Sequence, residues 1–262
     1  MRILFLGDIV GRPGRNTVRE LLPGIIQEVS PDLIIANAEN IAGGKGMNRK
    51  TIQEMMDLGI DVFTGGNHSF KNTEGVELLE SGQLPVLRPA NFPIGTAGTG
   101  WRIVRSRSGK RVLVISLIAR IFMPQFVDSP FQSLEDILKS VSPGDYDASF
   151  VDFHGEATSE KQALRWTFDG KVSAIVGTHT HVQTADADVS QLGTAYVTDT
   201  GMCGSLDSCI GVEKDIIIRL MKTQMPVTHV LEKRGRMQLN GTLIDIAEDG
   251  KAMQIAIVRK IV

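Results

Sequence analysis

Two histidines one residue apart, His179 and His181, follow the apolar run Ala174-Ile175-Val176-Gly177 in a chain of 262 residues. Imidazole is the commonest protein metal ligand near neutral pH. The run reads as a buried strand, and Gly177 lets the backbone turn sharply where that strand ends. In extended chain, residues two apart point the same way, so both rings can aim at one place. Taken alone, His-x-His reads more readily as two polar loop residues. Other stretches repeat the arrangement. Asp8 follows Arg2–Leu6, Glu39 and Asn40 follow Asp32–Ala36, Asn67 and His68 follow Asp61–Thr64, and His154 follows Ala148–Asp152. Of the 5 histidines, only His229 lies outside these strand exits.

Carboxylate, amide oxygen and imidazole form a ligand set of intermediate hardness, suited to iron, manganese or zinc rather than calcium or copper. The candidates exceed what one tetrahedral ion needs, so two ions bridged by a carboxylate fit better. Each motif by itself has a plainer reading. Gly7-Asp8 reads equally as a turn. Gly65-Gly66-Asn67-His68 reads as a tight loop with a left-handed Asn, and His154 as a structural histidine. Gly43-Gly44-Lys45-Gly46 lacks the P-loop spacing and reads as a hinge or lid, with Lys45 a solvated charge. The shared position at strand exits carries the inference.

The elements that must position these residues alternate. Arg2–Leu6, Asp32–Ala36 and Asp61–Thr64 read as strands. Asn16–Val29 has helical spacing with Pro23 in its middle, and Arg49–Leu58 is a second helix. Such alternation predicts a mostly parallel sheet, whose ligands gather beyond the carboxyl ends of its strands. Glu74–Glu80 reads as a short helix and Pro85–Gly100 as a loop. Trp101–Arg105 and Arg111–Ser116 form a hairpin. Leu134–Val141 reads as a helix capped by Ser133, and Ser159–Phe168 as another. Lys171–Val176 and Ala195–Thr198 are strands, the latter leaving through a loop at 199–204. Beyond Lys214, Ile216–Leu220, Gly235–Leu239, Thr242–Ile246 and Ala252–Val258 read as strands, with turns at Asn240-Gly241 and Asp249-Gly250. The second half therefore adds mostly antiparallel sheet packed against the first. No linker, repeat or low-complexity tract divides the chain, which predicts one domain over residues 1–262.

Hydrophobic residues at 42% and charged ones at 22% describe an ordinary soluble globular protein with length for a sizeable core. A net charge of -2 gives no electrostatic case for bulk nucleic-acid binding. Cys203 and Cys209 are too few for a disulfide framework and miss the usual zinc spacings, so a reduced, cytoplasmic setting is expected. Ile3–Leu6 is too short for a signal h-region. No apolar run approaches the ~20 residues of a membrane helix. Apolar edge strands in the second half leave a homo-oligomer open.

Gly7-Asp8, the carboxylate of Asn37-Ala38-Glu39-Asn40, Gly66-Asn67-His68, His154 and Gly177-Thr178-His179-Thr180-His181 together resemble the calcineurin-like metallophosphoesterase signature. More narrowly, the chain resembles the bacterial YmdB-type branch, a family of cyclic-nucleotide phosphodiesterases, over nearly its whole length. Val10 stands where the wider superfamily carries a histidine, and Glu39 where it carries a bridging aspartate. Both are features of the YmdB-like branch, in which Asn40 fills the gap.

The resemblance implies an α/β protein, a calcineurin-like four-layer α/β/β/α sandwich around two mixed β-sheets. It implies two divalent ions per chain, iron or manganese first and zinc next. Asp8, Glu39, Asn40 and His181 would hold one ion; Glu39, Asn67, His154 and His179 would hold the other. His68 would lie beside the ions as the general acid that protonates the leaving group. The implied reaction is hydrolysis of a 2′,3′- or 3′,5′-cyclic nucleotide by a hydroxide bridging the ions. The same hydroxide attacks a phosphomonoester, which makes a phosphomonoesterase or nucleotidase the runner-up. An amidohydrolase fits less well, because such enzymes usually place His-x-His after the first barrel strand. From another class, a nucleotide-sensing regulator with slow turnover shares every one of these residues.

Overall fold

Runs of apolar, β-branched residues and helical periodicities settle into 13 strands and 6 helices in the computed structural model, which describes residues 1–142 and 144–262. The first half holds β1 (Arg2–Leu6), β2 (Asp8–Ile9), α1 (Gly11–Val29), β3 (Leu33–Asn37), α2 (Arg49–Met56), β4 (Val62–Thr64), α3 (Thr73–Ser81), β5 (Trp101–Arg105) and β6 (Arg111–Ile118). The second half holds α4 (Pro130–Ser140), β7 (Ala148–His154), α5 (Thr158–Thr167), β8 (Ala174–Thr178), β9 (Asp188–Val189), β10 (Ala195–Val197), β11 (Met202–Ser205), α6 (Lys214–Thr223), β12 (Met237–Ile246) and β13 (Ala252–Ile261).

Both sheets are mixed. In the 7-stranded sheet β1, β3 and β4 run parallel, and β12 lies antiparallel to β1, with Leu4 opposite Leu243. β13 takes the other edge of β12, and β11 joins the first end of β12 to β2. In the 6-stranded sheet β6, β7, β8 and β10 are parallel, flanked by antiparallel β5 and β9.

Strand alternation sorts the side chains into layers. Ile3 and Phe5, with Leu33, Ile35 and Val62, face Val112, Val114, Phe150, Ala174 and Val176 of the other sheet. The rings of Phe5 and Phe150 meet at 5.1 Å between centroids. Leu4 and Leu6, with Ile34 and Phe63, turn the other way onto Val18 and Leu22 of α1 and Ile52 and Met55 of α2. On the outer face of the second sheet, Leu113, Ile115, Phe153 and Ile175 pack on Leu134 of α4 and Leu164 of α5. Each such side chain contributes roughly 1.5–3 kcal/mol by burial. The result is the expected four-layer α/β/β/α sandwich. No helix among the described residues is long and apolar enough to cross a membrane.

Several sequence expectations need correction. Helix α1 runs unbroken through Pro23, because Pro23 lies on the exposed face, where water can take the freed carbonyl. The N-cap of α4 is Ser129, whose Oγ accepts from Gln132 N at 3.4 Å with Pro130 at the helix start; Ser133 lies inside the helix. Ile216–Leu220 belongs to helix α6 rather than a strand. Asp215 in the first turn and Lys222 in the last match the helix dipole, and these end signals outweigh the β-branched run. Asn240-Gly241 is no turn. Gly241 sits within continuous β12, opposite Leu6 on one side and Val258 on the other, while Asn240 Nδ2 donates to Met202 O at 2.9 Å. The loop expected at 199–204 becomes strand at Met202, which pairs with Asp8.

Candidate dinuclear metal centre

Parallel pairing brings the carboxyl ends of β1, β3 and β4 to one edge of the first sheet, and those of β7 and β8 to one edge of the second. The two edges meet. Gly66 is required there, because a Cβ would collide with Glu39 Oε2 and the His154 ring. Gly177 likewise lets the carbonyl of Thr198 approach the backbone of β8.

Glu39, fully buried, stands at the centre with its two oxygens facing different partners. On one side, His154 Nε2 lies 3.2 Å from Glu39 Oε2, 2.9 Å from Asn67 Oδ1 and 3.1 Å from His179 Nδ1. Each ring is committed through its other nitrogen. Thr178 Oγ1 donates to Asp152 Oδ1 at 2.7 Å, so it accepts from His154 Nδ1 at 2.9 Å. His179 Nε2 lies 3.2 Å from the Glu156 carboxylate. Two imidazole lone pairs, a carboxylate oxygen and an amide oxygen therefore confront one another. Acceptors so placed repel unless a proton on His154 or a metal cation sits among them, and Glu39, His154 and His179 offer ligand atoms all within 4.8 Å of one another.

On the other side, Asn40 Nδ2 lies 2.9 Å from Glu39 Oε1, 3.4 Å from Asp8 Oδ1 and 3.2 Å from His181 Nε2. Two amide hydrogens cannot serve three acceptors, so in the metal-free protein a proton on His181 Nε2 stands where a cation would sit. His181 Nδ1 donates to Ile210 O at 3.0 Å, which turns its Nε2 lone pair toward Asp8 Oδ1, 3.7 Å away. The rings of His179 and His181 thus serve opposite sides of Glu39. Their backbone is not the extended chain expected: φ is 104° at His179 and 66° at His181, both left-handed. Strained backbone of this kind gathers at functional sites.

Electrostatics follow from burial. Among the described residues, the ion-pair partners of Asp8 and Glu39 are all histidines. Burial alone would raise the Glu39 carboxyl, yet the charges and hydrogen bonds of His154 and His68 hold it well below the usual range. Asp8 is likewise held low against burial by His181. Burial works against the His181 imidazolium, but Asp8 outweighs it and pushes the ring up to about 9. Burial, then the neighbouring His154, brings His179 down to about 4.

The structure brings Asp8, Glu39, Asn40, Asn67, His68, His154, His179 and His181 to one place; His229 is exposed. The His68 backbone N–H donates to Glu39 Oε2 at 2.9 Å, while its Nδ1 lies 2.8 Å from Asn40 Oδ1. Sequence reasoning missed the supporting residues. Asp152 is buried beneath His154 and accepts from Asn37 Nδ2, Thr64 Oγ1 and Thr178 Oγ1. Burial pushes its carboxyl up to about 6. Its signal was a carboxylate inside an otherwise apolar strand, two residues before His154. Lys161 and Asp199 form a second buried framework behind the His179 loop.

The family model for YmdB-like protein matches residues 4–258. The chain is 42% identical over 252 residues to a 2′,3′-cyclic-nucleotide 2′-phosphodiesterase of Bacillus subtilis (strain 168), covering 96% of this chain and 93% of that protein. A crystal structure of a novel phosphatase from Mycoplasma pneumoniae superposes with a TM-score of 0.92 at 30% identity, over 100% of this chain and 93% of the other. The calcineurin-like phosphoesterase YfkN of Bacillus subtilis has the same fold, with a TM-score of 0.60 at 12% identity over 99% of this chain and 90% of that one. Divalent metal ions accord with that fold and with the ligand group around Glu39.

Proposed function

The chain belongs to the YmdB-like family, and on that premise we propose that it is a metal-dependent phosphodiesterase opening 2′,3′-cyclic nucleotides. The observation that carries this reading is Glu39, whose Oε1 faces Asn40 beside Asp8 and His181 and whose Oε2 faces His154 beside Asn67 and His179. Asp8, Glu39, His181 and Asn40, its amide turned so that Oδ1 rather than Nδ2 faces them, would hold one ion, and Glu39, Asn67, His154 and His179 the other. Iron or manganese suits the mixed oxygen and nitrogen donors, with zinc next. When bound, such a pair activates water at neutral pH and neutralises phosphoryl oxygens as the ester bond breaks.

The chain's own residues supply the rest. Thr178 and Asp152 fix His154 with Nε2 as the lone-pair nitrogen, and Ile210 O does the same for His181. His68 is held by its backbone N–H on Glu39 and by Nδ1 against Asn40. His68 gives a ring proton to the departing 2′ oxygen, which leaves as a hydroxyl. Ligands come from both sheets, in keeping with one catalytic domain spanning the chain. A cytoplasmic setting is part of the same reading, in keeping with two free thiols, Cys203 and Cys209.

The test is a panel of 2′,3′-cyclic, 3′,5′-cyclic and monoester nucleotides, incubated with protein loaded separately with Mn²⁺, Fe²⁺ or Zn²⁺. A nucleoside 3′-phosphate released fastest from the 2′,3′-cyclic diesters is expected. Faster turnover of monoesters would replace this reading with a nucleotidase. Stoichiometric binding without product would replace it with a sensor.

A further inference from the structure

We propose that Phe122 and Phe126 form a stacking platform for the heterocyclic base of the nucleotide. This rests on the phosphodiesterase reading and adds to it the group that distinguishes a nucleotide from other small cyclic diesters.

The two rings stand on the loop between β6 and α4. That loop is tied to the site at two points. Ala119 N donates to His154 O at 2.9 Å, and Gln125 Nε2 donates to Asn67 O at 3.1 Å. His154 and Asn67 are the two residues that meet at 2.9 Å beside Glu39. The loop therefore runs along the rim of the centre. Its backbone is held firmly. Buried Glu160 accepts from Arg120 N at 2.9 Å and Ile121 N at 2.8 Å, and Asn91 grips Ile118 O at 2.8 Å and Asp128 O at 3.0 Å. Met123 is buried in the core beneath it.

A loop anchored in this way could have buried its aromatics, and it does not. Phe122 is 83% exposed and Phe126 is 97% exposed. Phe122 moreover has φ of 61°, a conformation unfavourable for a bulky residue. Among the described residues, the other strongly exposed aromatic ring is Trp166, and it already carries the Arg165 guanidinium at 4.5 Å. The free π faces thus lie on a segment hydrogen-bonded to both His154 and Asn67. A neutral planar base fits them, because every base has a π face that stacks on an aromatic ring irrespective of sequence. The platform accordingly favours nucleotides over base-free diesters without choosing strongly among bases.

The experiment compares 2′,3′-cyclic AMP with glycerol 1,2-cyclic phosphate, a five-membered cyclic diester without a base, in wild type, F122A/F126A and F126W. In parallel, calorimetry measures binding of adenosine 3′-phosphate and glycerol phosphate to the metal-loaded proteins. In F122A/F126A, kcat/KM for the nucleotide is expected to fall about 10- to 100-fold through KM. Turnover of the base-free diester should stay unchanged, and F126W should retain nucleotide affinity. Equal losses on both substrates, or no change on either, would overturn the platform. If wild type hydrolyses neither diester, the phosphodiesterase reading falls. The platform then stands only if adenosine 3′-phosphate binds more tightly than glycerol phosphate and the double substitution removes that preference.

Discussion

Lys161 Nζ lies 3.0 Å from Asp199 Oδ2, and both side chains are shut away from water. The pair braces the loop that carries His179 and His181. Lys161 Nζ also donates to Thr178 O at 2.8 Å, and Asp199 Oδ2 accepts from Thr180 N at 2.9 Å. These bonds flank His179 and hold it in its left-handed conformation. Lys161→Met leaves Asp199 buried without its cation, which costs about 3–5 kcal/mol. Thermal unfolding should register that loss, and Lys161→Met with Asp199→Asn together should recover much of it. An unchanged melting temperature in the single variant would show that the pair is not structural.

His68 touches Glu39 and Asn40 without belonging to the acceptor clusters that face one another. His68→Ala is expected to retain its metal, measured by elemental analysis, while turnover drops roughly 10²–10⁴-fold. Metal loss in this variant would place His68 among the ligands.

Thr178 connects Asp152 to His154. Thr178→Val keeps the volume and removes the hydroxyl, so His154 loses the partner that fixes its tautomer. Metal affinity, read by competition with a chelator, should weaken about 10- to 100-fold. Unaltered affinity would mean that the ring is oriented by packing alone.

In metal-free protein His181 is pushed up to about 9, with burial opposing and Asp8 prevailing. Its folded value lies above its unfolded one. The imidazolium therefore contributes stability that is fully present below the unfolded pKa of about 6.5 and is lost as pH rises through about 9. A divalent ion needs the neutral ring, so loading at pH 7 should expel a proton, and affinity should climb with pH until about 9. Calorimetry in buffers of differing ionisation enthalpy measures that proton. Affinity independent of pH between 6.5 and 8.5 would contradict the assignment of His181.

Much of this was legible in the sequence because it depends on strand ends. A buried strand announces itself by its apolar run, and whatever follows lies at the sheet edge; Asp8, Glu39, Asn67, His154 and His179 were all found that way. The misreadings share a cause as well. Asn240-Gly241 has the composition of a turn, yet Gly241 is needed because Phe5 O approaches too closely for a side chain. That approach depends on β1, more than two hundred residues away in the chain. Helix α6 buries no side chain, so its periodicity has no core to answer to, and only its terminal charges distinguish it from a strand. Asp152 and Lys161 work through hydrogen bonds to residues distant in the chain, which no spacing records.

Metal stoichiometry bears most directly on the centre. Glu39 alone faces both clusters, so reconstituted wild-type protein should carry two divalent ions per chain by elemental analysis, and Glu39→Gln should lose both after identical treatment. A single ion in the wild type, or two ions undiminished in Glu39→Gln, would contradict a bridged pair.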